Sequence, residues 1–285
     1  DHHAVDHLEF KIEGGRIYGF LGPNGAGKST TMNIMTGYLG ATEGEVIING
    51  HDILKEPEEA KRHIGYLPEQ PPLYMDMTVR EYLEFAAELK GIKKKQRAGQ
   101  IAEVENLVKI KDVEHRLIKN LSKGYRQRVG LAQAVLGFPE IIILDEPSVG
   151  LDPKQIIEIR ELIRKLAKNH TVILSSHILA EVREVCDYII IISKGRLMAS
   201  DTPENLERML GQQSVVEIEV KTSPLEVRRI LKNVPGIERI EAQTAGNGVT
   251  KGSIHEKKGE DIRENVFRAF ASAGSPLLTL KVSGT

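Results

Sequence analysis

The chain has 285 residues, which at roughly 100 to 200 residues per domain makes about two domains and leaves room for a full hydrophobic core. Lys and Arg number 39 against 40 Asp and Glu, a formal charge of −1, so no global field draws the chain to nucleic acid or an anionic membrane; only a local basic groove stays compatible with that balance. Apolar runs such as Tyr188–Ile192 fall far short of the roughly 18 residues that cross a bilayer, and one cysteine, Cys186, excludes an internal disulfide and a cysteine-built zinc cage. Cys186 lies in a helix-like apolar stretch and reads as a buried bystander in a cytosolic chain. The chain begins at Asp1 without Met, a signal peptide or a targeting motif, so a trimmed start is expected.

Over the first two thirds, short β-branched runs alternate with amphipathic stretches, the order of an α/β protein whose mostly parallel strands are covered by helices. Arg16–Leu21 reads as a buried strand, followed by a Gly-rich turn and a helix over Lys28–Tyr38. Glu45–Asn49 reads as a second short strand, ended by Gly50. From Thr78 to Asn120 the β-branched runs vanish, and Val79, Tyr82, Leu83, Phe85, Ala86 and Leu89 recur at helical spacing, so this stretch is a helical insert. Within it, Lys93, Lys94 and Lys95 read as a solvated inter-helix turn rather than a nucleic-acid patch. Strands resume at Ile141–Leu144, Val172–Leu174 and Tyr188–Ile192, with helices such as Lys154–Lys168 between them. After a Gly-Gln-Gln break the order changes to strand Ser214–Val220, helix Pro224–Lys232, strand Ile237–Ala242, a strand near Ser253, helix Glu260–Ala273 and strand Leu277–Val282. That β-α-β-β-α-β order suits a small α+β split-βαβ module, although Thr244–Lys251 is too polar and Gly-rich to place. The expected domains are therefore 1–210, with a helical subdomain over about 71–135, and an accessory module over 211–285.

Gly22-Pro23-Asn24-Gly25-Ala26-Gly27-Lys28-Ser29-Thr30 fits G-x-x-x-x-G-K-[ST], after a strand and at the start of a helix, the setting that this phosphate-binding loop requires. Glycines let backbone amides converge on phosphate oxygens, and the helix N-terminus adds partial positive charge. Lys28 is expected to meet the β and γ phosphates and Ser29 to offer its hydroxyl to Mg2+, which makes ATP or a similar nucleoside triphosphate the expected ligand. Ile141-Ile142-Ile143-Leu144 then delivers Asp145 and Glu146 to the carboxyl end of a buried strand, where ligands of such sheets bind. Adjacent strand residues point to opposite faces, so the two carboxylates take different tasks: Asp145 holds Mg2+, and Glu146 is the candidate base that polarises the attacking water.

Leu121-Ser122-Lys123-Gly124-Tyr125-Arg126-Gln127-Arg128-Val129 follows the insert, with Ser122 placed as the N-cap of the next helix. Together with Ser148-Val149-Gly150-Leu151-Asp152 and Ser175-Ser176-His177, these segments occur in the order of an ATP-binding cassette (ABC) transporter ATPase. The resemblance covers about residues 4–205, and Tyr66-Leu67-Pro68-Glu69 is most similar to ATPase subunits of type-2 exporters, a group that includes drug-efflux and gliding-motility systems. It implies a P-loop NTPase that binds and hydrolyses ATP and pairs head to tail with a second copy of itself, so that Ser122 and Gly124 contact the γ-phosphate held by the other chain. It further implies that Asp152 couples the two sites, that His177 is a switch histidine on the γ-phosphate, and that integral membrane permease subunits are the partners. Such a chain is expected to have no transmembrane segment of its own, to sit on the cytoplasmic face of the membrane through its permease, and to power export of a substrate that the sequence does not name.

In that frame the segment Pro71–Tyr82, with Leu73, Tyr74 and Met75, either receives a coupling helix from the permease or tucks against its own helical insert. The alternative class, a cassette protein acting on ribosomes or DNA, fits less well with the single cassette and the balanced charge. The sequence departs from the family at Lys123, commonly Gly, and at Tyr125, commonly Gln, and it places Glu69 where the family Gln lies, with Gln70 one residue later. No aromatic residue for adenine stacking is found in residues 1–9, and no apolar closing helix precedes Thr285, so either end is expected to be trimmed.

Overall fold

Residues 3–210, 214–257 and 261–284 are described in this computed structural model. The chain divides into two units, Asp1–Pro203 and Glu204–Thr285, a few residues ahead of the expected boundary at 210. In the first unit the strands are β1 (Ile17–Leu21), β2 (Ile47–Ile48), β3 (His51–Asp52), β4 (Ile64–Leu67), β5 (Ile141–Leu144), β6 (Thr171–Ser176), β7 (Tyr188–Ser193) and β8 (Arg196–Asp201). The helices are α1 (Lys28–Met35), α2 (Pro57–Arg62), α3 (Val79–Leu89), α4 (Lys94–Leu107), α5 (Lys123–Val135), α6 (Pro153–Leu166) and α7 (Leu179–Val185).

Six strands form one sheet in the order β4-β5-β6-β1-β7-β8, parallel throughout except for the antiparallel β7–β8 pair. Every residue of β6 is buried, the apolar Val172, Ile173 and Leu174 as expected of a central parallel strand and the polar Thr171, Ser175 and Ser176 with them. Tyr18, Phe20, Met32, Ile143, Ile173, Ile190 and Ile192 make the core between this sheet and α1. On the other face Gly19 admits α7 so closely that an added Cβ would stand 2.3 Å from Val182 Cγ1 and 2.7 Å from Cys186 Sγ. Cys186 is buried there, and burial pushes its thiol pKa far up, which makes it the inert bystander expected.

The helix expected to reach Tyr38 stops at Met35, because Gly37 takes a left-handed turn (φ 71°) and Leu39 N returns a hydrogen bond to Asn33 O. The strand expected over Glu45–Asn49 shortens to β2, the first arm of a hairpin with β3 that turns at Asn49–Gly50 (φ 49° and 83°). In the insert, α3 starts with a capping box between Thr78 and Glu81. Lys93, Lys94 and Lys95 are exposed, as a solvated segment should be, but they open helix α4 rather than form a turn. The last helix of the expected 71–135 subdomain, α5, packs on the sheet: a Cβ on Gly65 of β4 would stand 1.9 Å from Ala134 O.

Helix α8 (Pro203–Leu210) begins on the last residue of the first unit, and the second unit continues with β9 (Ser214–Val220), α9 (Pro224–Leu231), β10 (Ile237–Gly246), β11 (Val249–Glu256), α10 (Arg263–Ser272) and β12 (Leu277–Gly284). Its sheet runs β10-β11-β9-β12, all antiparallel, with Val216, Ile218, Ile254, Val227, Leu231, Val266 and Phe270 in the core under α9 and α10. This is the split-βαβ arrangement. The Thr244–Lys251 stretch that composition could not place is the hairpin tip: Asn247 and Gly248 (φ 50° and 72°) reverse the chain, and Thr244 pairs with Thr250. The expected Gly-Gln-Gln break at 211–213 and Glu260 at the start of the second helix lie outside the described residues.

Candidate active site

At the carboxyl end of β1 the chain wraps through Gly22–Gly27 into α1. Gly25 and Gly27 adopt left-handed backbone (φ 79° and 103°), and a Cβ on Gly22 would stand 2.3 Å from Ile192 O, so side chains are excluded by both conformation and space. The loop is stitched to its surroundings: Gly22 N donates to Ser176 O at 3.3 Å, Gly195 N donates to Ala26 O at 2.8 Å, and Thr31 Oγ1 donates to Gly27 O at 2.7 Å. Gly27 is the N-cap of α1 but offers no side chain to cap it, and no acidic residue lies in the first turn. The first amides and the positive end of the helix dipole are left to an outside anion. Pro23, Asn24 and Gly25 are exposed at the rim, while Ser29 and Thr30 are half-buried.

Lys28 is buried, with its Nζ donating to Gly22 O at 2.6 Å and Pro23 O at 3.2 Å. The same Nζ stands 3.4 Å from Glu146 Oε1, so the glycine-rich loop and the acidic end of β5 meet as expected. Asp145 and Glu146, at 3% and 6% exposure, part company there. Asp145 Oδ1 accepts a 2.5 Å hydrogen bond from Ser175 Oγ, which in turn accepts from Glu146 N at 2.8 Å. Glu146 turns the other way, its Oε2 3.0 Å from His177 Nδ1 and its Oε1 toward Lys28 without a hydrogen bond. Both residues lie just past β5, which ends at Leu144, so the divergence comes not from strand alternation but from the left-handed backbone of Glu146 (φ 47°), which turns its side chain away from that of Asp145. Beside them Tyr66 donates to Asn33 Oδ1 at 3.0 Å, and burial, with the Asp145 charge as a lesser cause, pushes its hydroxyl pKa up.

Ser122, Gly124 and Asp152 gather in a second group. Ser122 caps α5, its Oγ accepting from Tyr125 N at 3.4 Å, and Asp152 caps α6 through a reciprocal capping box with Gln155. Gly124 packs on Gln155, where a Cβ would stand 2.6 Å from Nε2, and the Lys123 ammonium lies over Gly150. The two departures from the family pattern thus have local partners, for Tyr125 OH donates to Asp112 Oδ2 at 2.9 Å. Glu69 does not join either group: it is exposed beyond β4 and, among the described residues, has no hydrogen bond or ion pair; Gln70 is exposed beside it.

Residues 5–149 match the family described as ABC transporter, slightly more than half of the chain. The chain belongs to this family. It is an ATP-binding and ATP-hydrolysing cassette of an ABC transporter. The cassette is 39% identical to the uncharacterized ABC transporter ATP-binding protein YhcH of Bacillus subtilis over 82% of this chain and 81% of that one. It is 42% identical to the bacitracin transport ATP-binding protein BcrA of Bacillus licheniformis over 72% of this chain and 67% of the relative. Among solved structures, an ATP-binding subunit of an ABC transporter matches with a TM-score of 0.66 and 31% identity, over 73% of this chain and 87% of that one. The dimeric cassette MJ0796, in a post-hydrolysis state bound to ADP and Pi, matches with a TM-score of 0.64 and 27% identity over 70% and 90%. These relatives favour the transporter reading over a cassette acting on ribosomes or DNA.

Beside the expected site residues stand Glu181, which the sequence did not single out, and Ser175 and Ser176, which it gave no role. Ser175 and Ser176 were legible only as neighbours of His177; what gives them work is the register that sets Leu21 opposite Ser176 and Leu144 opposite Leu174.

Proposed function

We propose that the cassette works as half of a head-to-tail homodimer that powers export through separate integral membrane permease subunits, the two ATP molecules lying between the copies. The observation that carries this reading is the chain Lys28–Glu146–His177, at 3.4 and 3.0 Å, beneath an open helix N-terminus. In this reading the loop amides and Lys28 seat the triphosphate, Lys28 leaving the Gly22 and Pro23 carbonyls for phosphate oxygens. Glu146, released from Lys28, orients the attacking water, and His177 holds Glu146 on one side and the γ-phosphate on the other.

Mg2+ fits the donor set, since the Ser29 hydroxyl and the Asp145 carboxylate are the hard oxygen ligands it prefers, and no cluster of three or more His, Cys, Asp or Glu offers a rival metal cage among the described residues. Held by Ser29 and Asp145, Mg2+ would supply positive charge to offset the negative charge of the phosphates. Ser122 and Gly124 serve the partner's γ-phosphate, and Asp152 couples the two sites; the likeness to the dimeric cassette MJ0796 supports a role in trans. Glu69 at the adjoining loop is proposed to approach the nucleotide only when the dimer closes.

No helix among the described residues is long and apolar enough to cross a membrane, so attachment to the cytoplasmic face would come through the permease. Tyr74 packs against Tyr82 and Phe85 yet stays 52% exposed, and Met75 is exposed beside it, an apolar ledge suited to a coupling helix. The likeness to a bacitracin transport protein supports a transport role. The test is sedimentation with ATP. Ser122→Arg is expected to keep ATP binding by single chains but to lose the ATP-dependent doubling of mass, with Lys28→Ala, which loses nucleotide, as the zero. A Ser122→Arg protein that still dimerises with ATP refutes the trans site.

A further inference from the structure

Glu181 lies in the first turn of α7, in which no side chain caps the helix. Its Oε2 instead reaches out of the helix and accepts two hydroxyls, Ser148 Oγ at 2.6 Å and Ser176 Oγ at 3.1 Å. Ser176 Oγ in turn accepts from Ile178 N at 3.0 Å, which fixes its hydroxyl proton on Glu181. Ser148 is two residues past Glu146, at the start of the turn in which Val149 N donates to Glu146 O at 3.1 Å and Leu151 N to Ser148 O at 3.2 Å. Ser176 directly precedes His177. The links therefore close a ring: Glu146, Pro147 and Ser148 along the chain, across Glu181 to Ser176, on to His177, and back to Glu146 through the 3.0 Å hydrogen bond. That carboxylate oxygen adds a tie between Ser148 and the end of β6, beyond the bonds that Ser175 makes to Asp145 and Glu146.

We infer that Glu181 is a positioning residue for the Glu146–His177 pair, acting through Ser148 and Ser176. This rests on the proposed reading of Glu146 as the base. Glu181 touches neither of the pair, so its loss should change their spacing and leave the phosphate loop intact. A shift of the order of 1 Å in a reacting group lowers turnover by up to about 100-fold, so Glu181→Ala is expected to reduce kcat about 10- to 100-fold. ATP affinity, set at the loop and Lys28, should stay within about 2-fold, and KM should follow it.

Two further variants separate positioning from bulk structural support. Both hydroxyls donate to a single oxygen, so Glu181→Gln can offer its carbonyl oxygen in the same place and should keep kcat within about 3-fold of wild type. In a His177→Ala background, Glu181→Ala should cost little more, because the two act through one contact and their effects are not additive. Wild-type kcat in Glu181→Ala, or a full additional loss in the His177→Ala background, would overturn the inference. If Glu181→Ala does not fold, Ser148→Ala removes one link of the ring and must lower kcat in the same direction; an unchanged kcat there overturns it equally. Glu146→Gln separates the two readings: normal turnover in that variant would remove the base assignment itself, whereas an inactive Glu146→Gln with a fully active Glu181→Ala removes only the positioning role.

Discussion

Glu146→Gln keeps the shape of the side chain and takes one negative charge from beside Lys28. The two groups are buried and 3.4 Å apart, and at an effective dielectric of about 20 their attraction is on the order of 5 kcal/mol, much of it offset by the desolvation of both charges. With the carboxylate gone, Lys28 keeps only its bonds to the Gly22 and Pro23 carbonyls in the empty site, and the incoming phosphates no longer face a buried anion. If about 1.4 kcal/mol of that difference survives, ATP binds about 10-fold more tightly. Chemistry moves the opposite way: loss of the base should slow hydrolysis by about 10² to 10⁴, or roughly 3 to 5 kcal/mol of barrier. Titration calorimetry reads the first effect, and phosphate release in a single turnover reads the second. Undiminished phosphate release refutes Glu146 as the base, and weaker ATP binding refutes the argument that its charge competes with the phosphates for Lys28.

Gly65→Ala places a Cβ 1.9 Å from the Ala134 carbonyl oxygen, a backbone atom that cannot swing aside, so destabilisation of at least about 3 kcal/mol is expected in a urea titration; an unchanged midpoint would show that α5 does not lie where described. Cys186, its thiol pKa raised by burial, should resist maleimide in the folded protein and react once urea unfolds it, and rapid labelling in native buffer would contradict its packing against Gly19. Hydrogen bonds from the Arg263 side chain, and then from its backbone, hold the Asp261 carboxyl at about 2, below its ordinary 3.8. The folded state then binds fewer protons than the unfolded one in that window, so this contribution is present above about 3.8 and is lost as the pH falls toward 2. A carboxyl chemical-shift titration checks it, and a midpoint near 3.8 refutes it.

What could be read from the sequence was whatever rests on burial or on an obligatory residue type. The run before Asp145 had to be a buried strand, and glycines ahead of Lys28 had to make a phosphate loop, so their meeting was legible in advance. Strand β8 was not, because it is an antiparallel edge strand with Arg196, Leu197 and Met198 all exposed, and a strand that buries neither face consistently carries no alternating pattern. The β10–β11 hairpin was hidden by polar composition, although its Asn247-Gly248 pair was a turn signal strong enough to have placed it. Glu181 escaped for a different reason. Its role depends on two serines 28 residues apart in the chain, and only the pairing of β5 with β6 brings their segments together.

Glu146 holds a backbone shape that glycine or asparagine would occupy more comfortably, at a cost of order 1 kcal/mol or more. A library randomised at that codon and screened for heat tolerance should therefore enrich glycine and asparagine, while the same library screened for phosphate release should return glutamate. Hardiness and catalysis would then select different winners from one pool, at a single residue whose surroundings are otherwise unchanged.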